Sequence, residues 1–561
     1  MKTEIKQRYE AWRAQPGLDP ETAAELESIR GDDAAVEDRF YRDLEFGTGG
    51  LRGVLGAGTN RMNRYTVAKA TRGLAAYLKE TFPSPSCAIA HDSRRGSEEF
   101  SRVAAAVLAQ EGVQVYLYRE LMPTPMLSFA VRHLGCSGGV VITASHNPAQ
   151  YNGYKVYGAD GCQITLEAAA QVLARIERQP DFGGPLPDFD NWMDRGRIRW
   201  IEQETLDAYY EAVLAQSVER PAVPLHVVYS PLNGTGNRPV RRILQQLGNI
   251  RVTVVPQQEQ PDGNFPTCPY PNPEIEEAMR LAVELCRETG ADFCLATDPD
   301  CDRVGAAVLD RDGSVKLING NEMGVMLLDF VCAGRTAAGT MPRDPVAVKT
   351  IVTTEMASAV ARHYGVELRN VLTGFKFIGE QIGLLEREGH PERYVFGFEE
   401  SYGYLSGGYV RDKDAVNGAM LICEMAAHYK ARGKSLLDVL EELSQRYGYY
   451  KSSLLSFTFE GPSGMARMNA ILDRVRTGAP REYCGKPVLG ITDYLRDGTG
   501  LPRSNVLALA LADGCQVVMR PSGTEPKLKL YVTAVGTTAA QAEEVCAELC
   551  SGCRAFVESA C

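Results

Sequence analysis

An apolar run in the segment GGVVITASHNPAQYNGYKVYGADG, Gly138 to Gly161, stops abruptly at Thr143-Ala144-Ser145-His146-Asn147-Pro148. If the run is a strand of an open α/β sheet, the turn after its carboxyl end borders the ligand crevice. Ser145 is then an exposed hydroxyl offered as a nucleophile, with His146 beside it and the cation Lys155 a few residues on. Taken alone, S-H-N-P also reads as an Asx or ST turn ahead of Pro148. A second segment, ATDPDCDRVG, alternates Asp298, Asp300 and Asp302 along a loop stiffened by Pro299. Carboxylates this close raise each other's pKa unless a cation sits among them, and a hard divalent ion suits an all-oxygen set, Mg²⁺ where phosphate also binds. A calcium EF-hand is excluded, because Arg303 and Leu309 stand where the loop requires Gly and Glu. A solvated acidic loop partly neutralised by Arg303 is the rival.

Two more segments carry polar groups at strand exits. In GFEESYGYLSGGYVRDKDA, Glu399, Glu400 and Ser401 follow the apolar YVF and suit hydrogen bonds to sugar hydroxyls, with Lys376 in TGFKFIG as a nearby cation. A solvated acidic turn is the plainer alternative. In RPSGTEPKLKLY, Arg520, Ser522, the turn at Gly523, and Thr524 gather a guanidinium, two hydroxyls and backbone N–H groups, as phosphate nests do. An ordinary Pro-Ser-Gly turn is its rival. Nucleotide loops fit poorly: GTGNRP (234–239) has Pro239 where the dinucleotide fingerprint needs its last glycine, and no G-x-x-x-x-G-K-[ST] occurs. DCDRV matches an aspartyl-phosphate phosphatase pattern, but Thr297-Asp298-Pro299 separate it from the strand end where such a motif belongs.

The elements that must place these loops alternate strand and helix. CAIAHD (87–92), VQVYLY (113–118) and GGVVITA (138–144) are β-rich runs separated by helical patterns such as SEEFSRVAAAVLAQEG. Such order implies parallel sheets with crossover helices. The theme recurs at 225–248, 291–310 and 345–365, giving three α/β units. NVLALALADGCQVVMRPSGTEPKLKLYVTAVG instead gives three strands in hairpin-like succession before a final helix, a smaller α+β domain. Joints near 205, 325 and 450 divide the chain into 1–205, a helical extension and the serine domain; 206–325, the carboxylate domain; 326–450, the sugar-loop domain; and 451–561, the phosphate-loop domain.

A net charge of −11 over 561 residues disfavours nucleic acid and anionic membranes as partners, while leaving room for an anionic small molecule. No apolar run approaches a membrane span and the polar N-terminus lacks a signal-peptide core. Fifteen scattered cysteines read as reduced thiols of a cytoplasmic protein. Cys546, Cys550 and Cys553 have i, i+4, i+7 spacing, which favours one apolar helix face over a zinc site, and C-x-x-C at 550–553 has no second pair nearby.

Together, TASHNPAQYNGYK, TDPDCDR, GFEES and RPSGTEP resemble, in order, the four signature loops of the α-D-phosphohexomutase superfamily; FGTGGLRGVLGAGTNRMN (46–63) resembles its long phosphoglucomutase and phosphopentomutase-like branch. The resemblance implies three related mixed-sheet α/β domains plus a C-terminal α+β domain around a central cleft. It implies a phosphoserine at Ser145, Mg²⁺ held by Ser145, Asp298, Asp300 and Asp302, and transfer assisted by Arg52 and Lys155, with His146 a further catalytic candidate. Glu399 and Ser401 would meet the sugar, Arg520, Ser522, Gly523 and Thr524 the phosphate, with Arg303 and Lys376 as further substrate contacts. Some relatives carry a histidine after the sugar-loop serine, where this chain has Tyr402-Gly403-Tyr404. The implied reaction interconverts hexose 1- and 6-phosphates, glucose first, through glucose 1,6-bisphosphate; pentose and mannose phosphates are alternatives, and a phosphatase or a non-catalytic sugar-phosphate sensor lies further off.

Overall fold

Eight residues, 143–150, connect the strand Gly138–Ile142 to the strand Tyr151–Gly158. That is too short for a parallel crossover, which needs a dozen or more, so the chain turns straight back and the two strands pair antiparallel. The computed structural model, which describes residues 2–47, 49–310, 312–459, 464–521 and 527–559, therefore has a mixed first sheet, as the resemblance implies, in place of the purely parallel pairing that strand-helix alternation alone suggests. Ser86–His91 runs parallel to Gln114–Leu117 and to Gly138–Ile142, whereas Gly50–Val54 and Tyr151–Gly158 pair antiparallel on one side. YNGYK, with Asn and Gly in it, has low strand propensity, and pairing on both sides makes it a strand nonetheless.

The chain divides into two compact units: residues 1–318, 379–392 and 403–431 form the first, and 319–378, 393–402 and 432–561 the second. Within the first, a second sheet repeats the device. Leu225–Ser230 lies parallel to Ile250–Val254 and Phe293–Thr297, then the six residues 298–303 return the chain antiparallel into Val304–Leu309. Gly138–Ile142 and Phe293–Thr297 are buried at every position, the pattern of strands covered on both faces. The N-terminal helices Thr3–Arg13, Pro20–Ser28 and Asp33–Phe40 bury Tyr9, Trp12 and Phe40 against Tyr65 of the helix Arg64–Thr81, with Trp12 edge-on to Phe40, Tyr65 and Phe182.

In the second unit Val346–Thr350 is parallel to Glu367–Val371 and Tyr394–Glu399. The C-terminal sheet is antiparallel, with Leu507–Leu511, Gln516–Pro521 and Lys527–Gly536 as consecutive neighbours ahead of the helix Ala539–Ser559. That helix buries Cys546, Leu549, Cys553 and Val557 in the domain core, with Cys550 half-buried at the flank. Among the described residues no helix is long and apolar enough to cross a membrane.

In the first unit the helices Gln203–Leu214 and Ala415–Lys430 are tied through Glu424, which accepts hydrogen bonds from Ser217 and from the Val218 N–H at 2.9 Å. Burial pushes this carboxyl up from 4.5 to about 7. The folded state thus holds the proton more tightly than the unfolded chain, and the contribution is greatest below pH 4.5 and lost as pH rises through 7. Glu424→Gln should leave stability nearly unchanged at pH 4.5 and raise it at pH 8 by up to about 3 kcal/mol. Thermal unfolding at the two pH values checks this, and equal shifts at both would contradict it.

Candidate active site

Ser145 is held by its backbone before its side chain does anything. It occupies the left-handed region at φ 53°, its N–H donates to Thr143 Oγ1 at 2.8 Å, and its carbonyl accepts from Arg94 at 2.6 Å. The same buried guanidinium donates to the carbonyls of Asn147, Pro148 and Tyr151, so one side chain nails the whole turn. Asp92 lies 3.3 Å from Arg94 and supplies its counter-charge. Ser145 itself is only 3 % exposed, a correction to the freely presented hydroxyl expected from the sequence. Its Oγ turns inward and donates to Asp298 Oδ2 at 2.9 Å, with His146 Nδ1 at 3.1 Å. Burial, then the positive charges of Arg303 and Arg52, push the His146 imidazole down to about 2, so the ring is neutral at physiological pH.

Asp298, Asp300 and Asp302 are all buried, and ligand oxygens from the three lie within 4.8 Å of one another. The loop is fixed by its own backbone: Asp298 Oδ1 accepts from the N–H groups of Asp302 and Arg303 at 3.1 and 3.0 Å. Thr124 donates to the Asp300 carbonyl and carboxylate, and the Thr235 N–H donates to Pro299 O. Cations come from elsewhere. Lys155 Nζ donates to Asp300 Oδ2 at 2.9 Å and lies 3.7 Å from Asp302 Oδ2, while Lys413 Nζ stands 2.9 Å from that same oxygen. Arg303 spends its closest contact on Glu274, at 2.6 Å, and reaches Asp302 only at 3.8 Å.

The charges are unequal. Burial and the neighbouring Asp300 and Asp302 push the Asp298 carboxyl well up; burial also opposes ionisation of Asp300, but the Lys155 contact outweighs it and holds that carboxyl below the usual range. Asp300 Oδ1 and both carboxylate oxygens of Asp302 are buried and accept no hydrogen bond, the lysine contacts to Asp302 Oδ2 being ion pairs. An all-oxygen donor set with three carboxylate oxygens that accept no hydrogen bond fits a hard metal cation. Arg52, on Gly50–Val54, is exposed as a residue, yet its guanidinium is held below its ordinary value by desolvation first and by Arg303, with Asp300 and Asp302 pulling the other way, as in a group lining a recess.

In the second unit Glu399 is buried at the end of Tyr394–Glu399, and Glu400 Oε2 accepts from Thr350 and Thr353 hydroxyls at 3.1 and 3.3 Å. Gly320 permits this packing, since a Cβ there would fall 2.0 Å from the Glu400 carbonyl oxygen. Ser401 is half-buried, and Lys376 sits in the first turn of Phe375–Arg387 with its ammonium 5.2 Å from the Phe377 ring centre. Arg520 is on Gln516–Pro521 opposite Lys529; Ser522, Gly523 and Thr524 lie outside the described residues. Tyr531 relates the two loops: burial and Glu400 push its phenol up to about 12 while Arg520 pulls it the other way. Its ring packs in a cluster with Ile351, Val352 and Leu372, which joins the third sheet's loops to the C-terminal sheet.

The first unit thus brings together Ser145, His146, Lys155, Arg52, Arg303 and the three aspartates; the second brings Glu399 and Arg520 to one tyrosine. Sequence reasoning passed over Arg94 and Lys413. The available signals were the strand exit HDSRR for the first, and for the second a lysine between two aspartates in VRDKDA.

Fold and site together define a multidomain α/β phosphoryl-transfer scaffold, and comparison with known proteins gives the family. Models described as phosphoglucomutase/phosphomannomutase α/β/α domain I, domain II, domain III and C-terminal domain match residues 43–181, 207–313, 319–447 and 492–551. The chain belongs to the phosphoglucomutase/phosphomannomutase family. It is 39 % identical over 510 residues to a phosphoglucomutase of Staphylococcus aureus (strain bovine RF122 / ET3-1), covering 88 % of this chain and 90 % of that one. Two crystal structures share the fold. One is a phosphoglucomutase/phosphomannomutase family protein from Burkholderia thailandensis (TM-score 0.68, 20 % identity, 92 % and 97 % covered). The other is the Paramecium exocytosis-sensitive phosphoprotein parafusin (TM-score 0.69, 16 % identity, 92 % and 96 % covered).

Gly234 presses against the aspartate loop, and a Cβ there would fall 2.4 Å from Pro299 Cα. Gly234→Ala should cost about 1–3 kcal/mol of stability through overpacking and displace the carboxylates. Added Mg²⁺ should then raise Tm less in the variant than in the parent; an equal rise would show that the loop geometry is independent of this contact.

Proposed function

We propose that the protein interconverts hexose 1-phosphate and hexose 6-phosphate, glucose being the sugar, by way of a phosphoryl group carried on Ser145. The observation that carries this reading is the Ser145 hydroxyl hydrogen-bonded to Asp298 inside a set of buried carboxylates ringed by Lys155, Lys413 and Arg52. The choice of glucose is supported by the staphylococcal relatives, which are named phosphoglucomutases.

In the proposed sequence a free sugar hydroxyl attacks the phosphorus on Ser145. The new P–O bond forms as the bond to Ser145 Oγ breaks, and the proton lost by the attacking hydroxyl is balanced by the one gained by the departing Ser145 Oγ, which leaves as the free hydroxyl. The resulting glucose 1,6-bisphosphate gives its other phosphoryl group back to Ser145, so no water is consumed and the sugar leaves as the isomer. Lys155 and Arg52 offset charge on the transferring oxygens, which makes catalysis mainly positioning and electrostatics. His146, neutral and 3.1 Å from Ser145 Oγ, orients that oxygen and is too weak a base to carry a proton away. Asp298, Asp300, Asp302 and Ser145 would hold Mg²⁺, which when bound neutralises phosphoryl oxygens. We assign Glu399 and Ser401, with Lys376, to the sugar, and Arg520, with Ser522, Gly523 and Thr524, to the phosphate that is not reacting; Arg303 is a further contact of the first unit. A soluble phosphosugar and the fourteen free cysteines described suit the cytoplasm.

The purified protein should carry phosphate on Ser145, and Ser145→Ala should lose turnover by about a thousandfold or more. Peptide mass spectrometry and a coupled assay with glucose 1-phosphate test this: isomer as product supports the mutase, release of inorganic phosphate would favour an aspartyl-phosphate phosphatase, and neither would favour a sensor. Arg520→Ala should raise KM for both the 1- and the 6-phosphate, by an amount equivalent to about 1.5–3 kcal/mol for a hydrogen bond to a charged group. A variant impaired in one direction alone would refute a shared phosphate site.

A further inference from the structure

Lys413 carries a flexible stem, and an ammonium at its end reaches one oxygen reproducibly only if the backbone beneath is fixed. The segment around it is held far more firmly than a surface loop. On one side Asp412 takes the Lys413 N–H on Oδ1 at 2.9 Å and the Tyr157 hydroxyl on Oδ2 at 2.7 Å, with Lys413 Nζ 3.4 Å from Oδ1. On the other, Asp414 caps the helix Ala415–Lys430 through the N–H groups of Val416 and Asn417. It also accepts from Tyr209 at 2.9 Å and Tyr409 at 2.6 Å. A helix cap needs one acceptor and no phenols; here three phenols converge on two carboxylates that flank one lysine. Asp412, Asp414, Tyr157 and Tyr209 are all buried.

The same elements reach the carboxylate triad directly. Tyr157 and Lys155 are two residues apart on Tyr151–Gly158 and so share a face. Lys155 goes to Asp300 and Tyr157 to Asp412. The Ala415 N–H donates to the carbonyl of Cys301, inside the aspartate loop itself. We propose that Tyr157, Tyr209 and Tyr409, acting through Asp412 and Asp414, are positioning residues that clamp Lys413 on Asp302, and that Lys413 so held competes with a divalent cation for that carboxylate. The proposal rests on the phosphoryl-transfer reading for its effect on turnover, though not for its effect on cation binding.

The experiment is a double-mutant cycle on the full chain, with Tyr157→Phe and Tyr209→Phe each made in the parent and in Lys413→Met. Mn²⁺ affinity and steady-state kinetics with glucose 1-phosphate are both measured. Removing the competing charge should tighten Mn²⁺ in Lys413→Met by about three- to tenfold. Each phenylalanine variant should move affinity in the same direction by less and lower kcat with little change in KM. Neither should add anything once Lys413 is gone. Shifts of equal size in both backgrounds would overturn the clamp, since the tyrosines would then act on the fold alone. If Tyr209→Phe fails to fold, Tyr409→Phe removes the other phenol on Asp414 and completes the same cycle. A parent that binds Mn²⁺ and shows the coupling but makes no isomer would fail the mutase reading while leaving the clamp intact.

Discussion

Three carboxylates buried within 4.8 Å of each other set the terms for the whole first unit. At that separation each ionised pair repels by about 3–4 kcal/mol with an effective dielectric near 20. Burial and that repulsion push the Asp298 carboxyl well up, so the triad does not carry three full charges. The loop survives because its environment is built from donors and cations: two backbone N–H groups on Asp298, a threonine and a lysine on Asp300, and a second lysine ion-paired to Asp302. None of these side-chain donors is local. Thr124 and Lys155 come from the first sheet's domain and Lys413 from the segment ahead of Ala415–Lys430, so satisfying the aspartates requires the unit to be assembled.

The topology that assembles it is economical. In both sheets of the first unit a fully buried central strand ends in a polar loop of only six to eight residues and returns antiparallel. A crossover helix would have carried the chain away from the strand end; a tight return leaves the loop where the strand delivered it. Two glycines make the close packing of these returns possible. A Cβ on Gly153 would meet the Thr143 carbonyl at 2.5 Å, and one on Gly234 would meet Pro299.

How much of this was legible depended on the range of the interaction. Ser145, the three aspartates and the C-terminal strand triplet were readable because their signals are spacings of a few residues. Ser145's burial was not, because it follows from a bond to Asp298, 153 positions away. Arg94 and Lys413 escaped for the same reason: the partners that make them important, Ser145 and Asp302, are remote in sequence. The strand Tyr151–Gly158 was invisible to propensity and exists through pairing on both edges. Cys546 and Cys553 illustrate the opposite case, where i, i+7 spacing alone placed both in one helix-facing core.

The burial of Ser145 also bears on why such a site would move phosphate between hydroxyls instead of losing it to water. A hydrolase benefits from an exposed linkage and a base poised to activate solvent. Here Ser145, the proposed carrier, is 3 % exposed, and the His146 imidazole beside it is pushed down to about 2 by burial and by the charges of Arg303 and Arg52. The cations around it are fixed in advance by ion pairs and, for the turn itself, by Arg94, so little reorganisation accompanies transfer. A phosphoryl group in that setting is stabilised by charge and starved of activated water. The acceptor that reacts is then one brought by its own binding contacts, and a sugar phosphate has more such contacts to offer than water does.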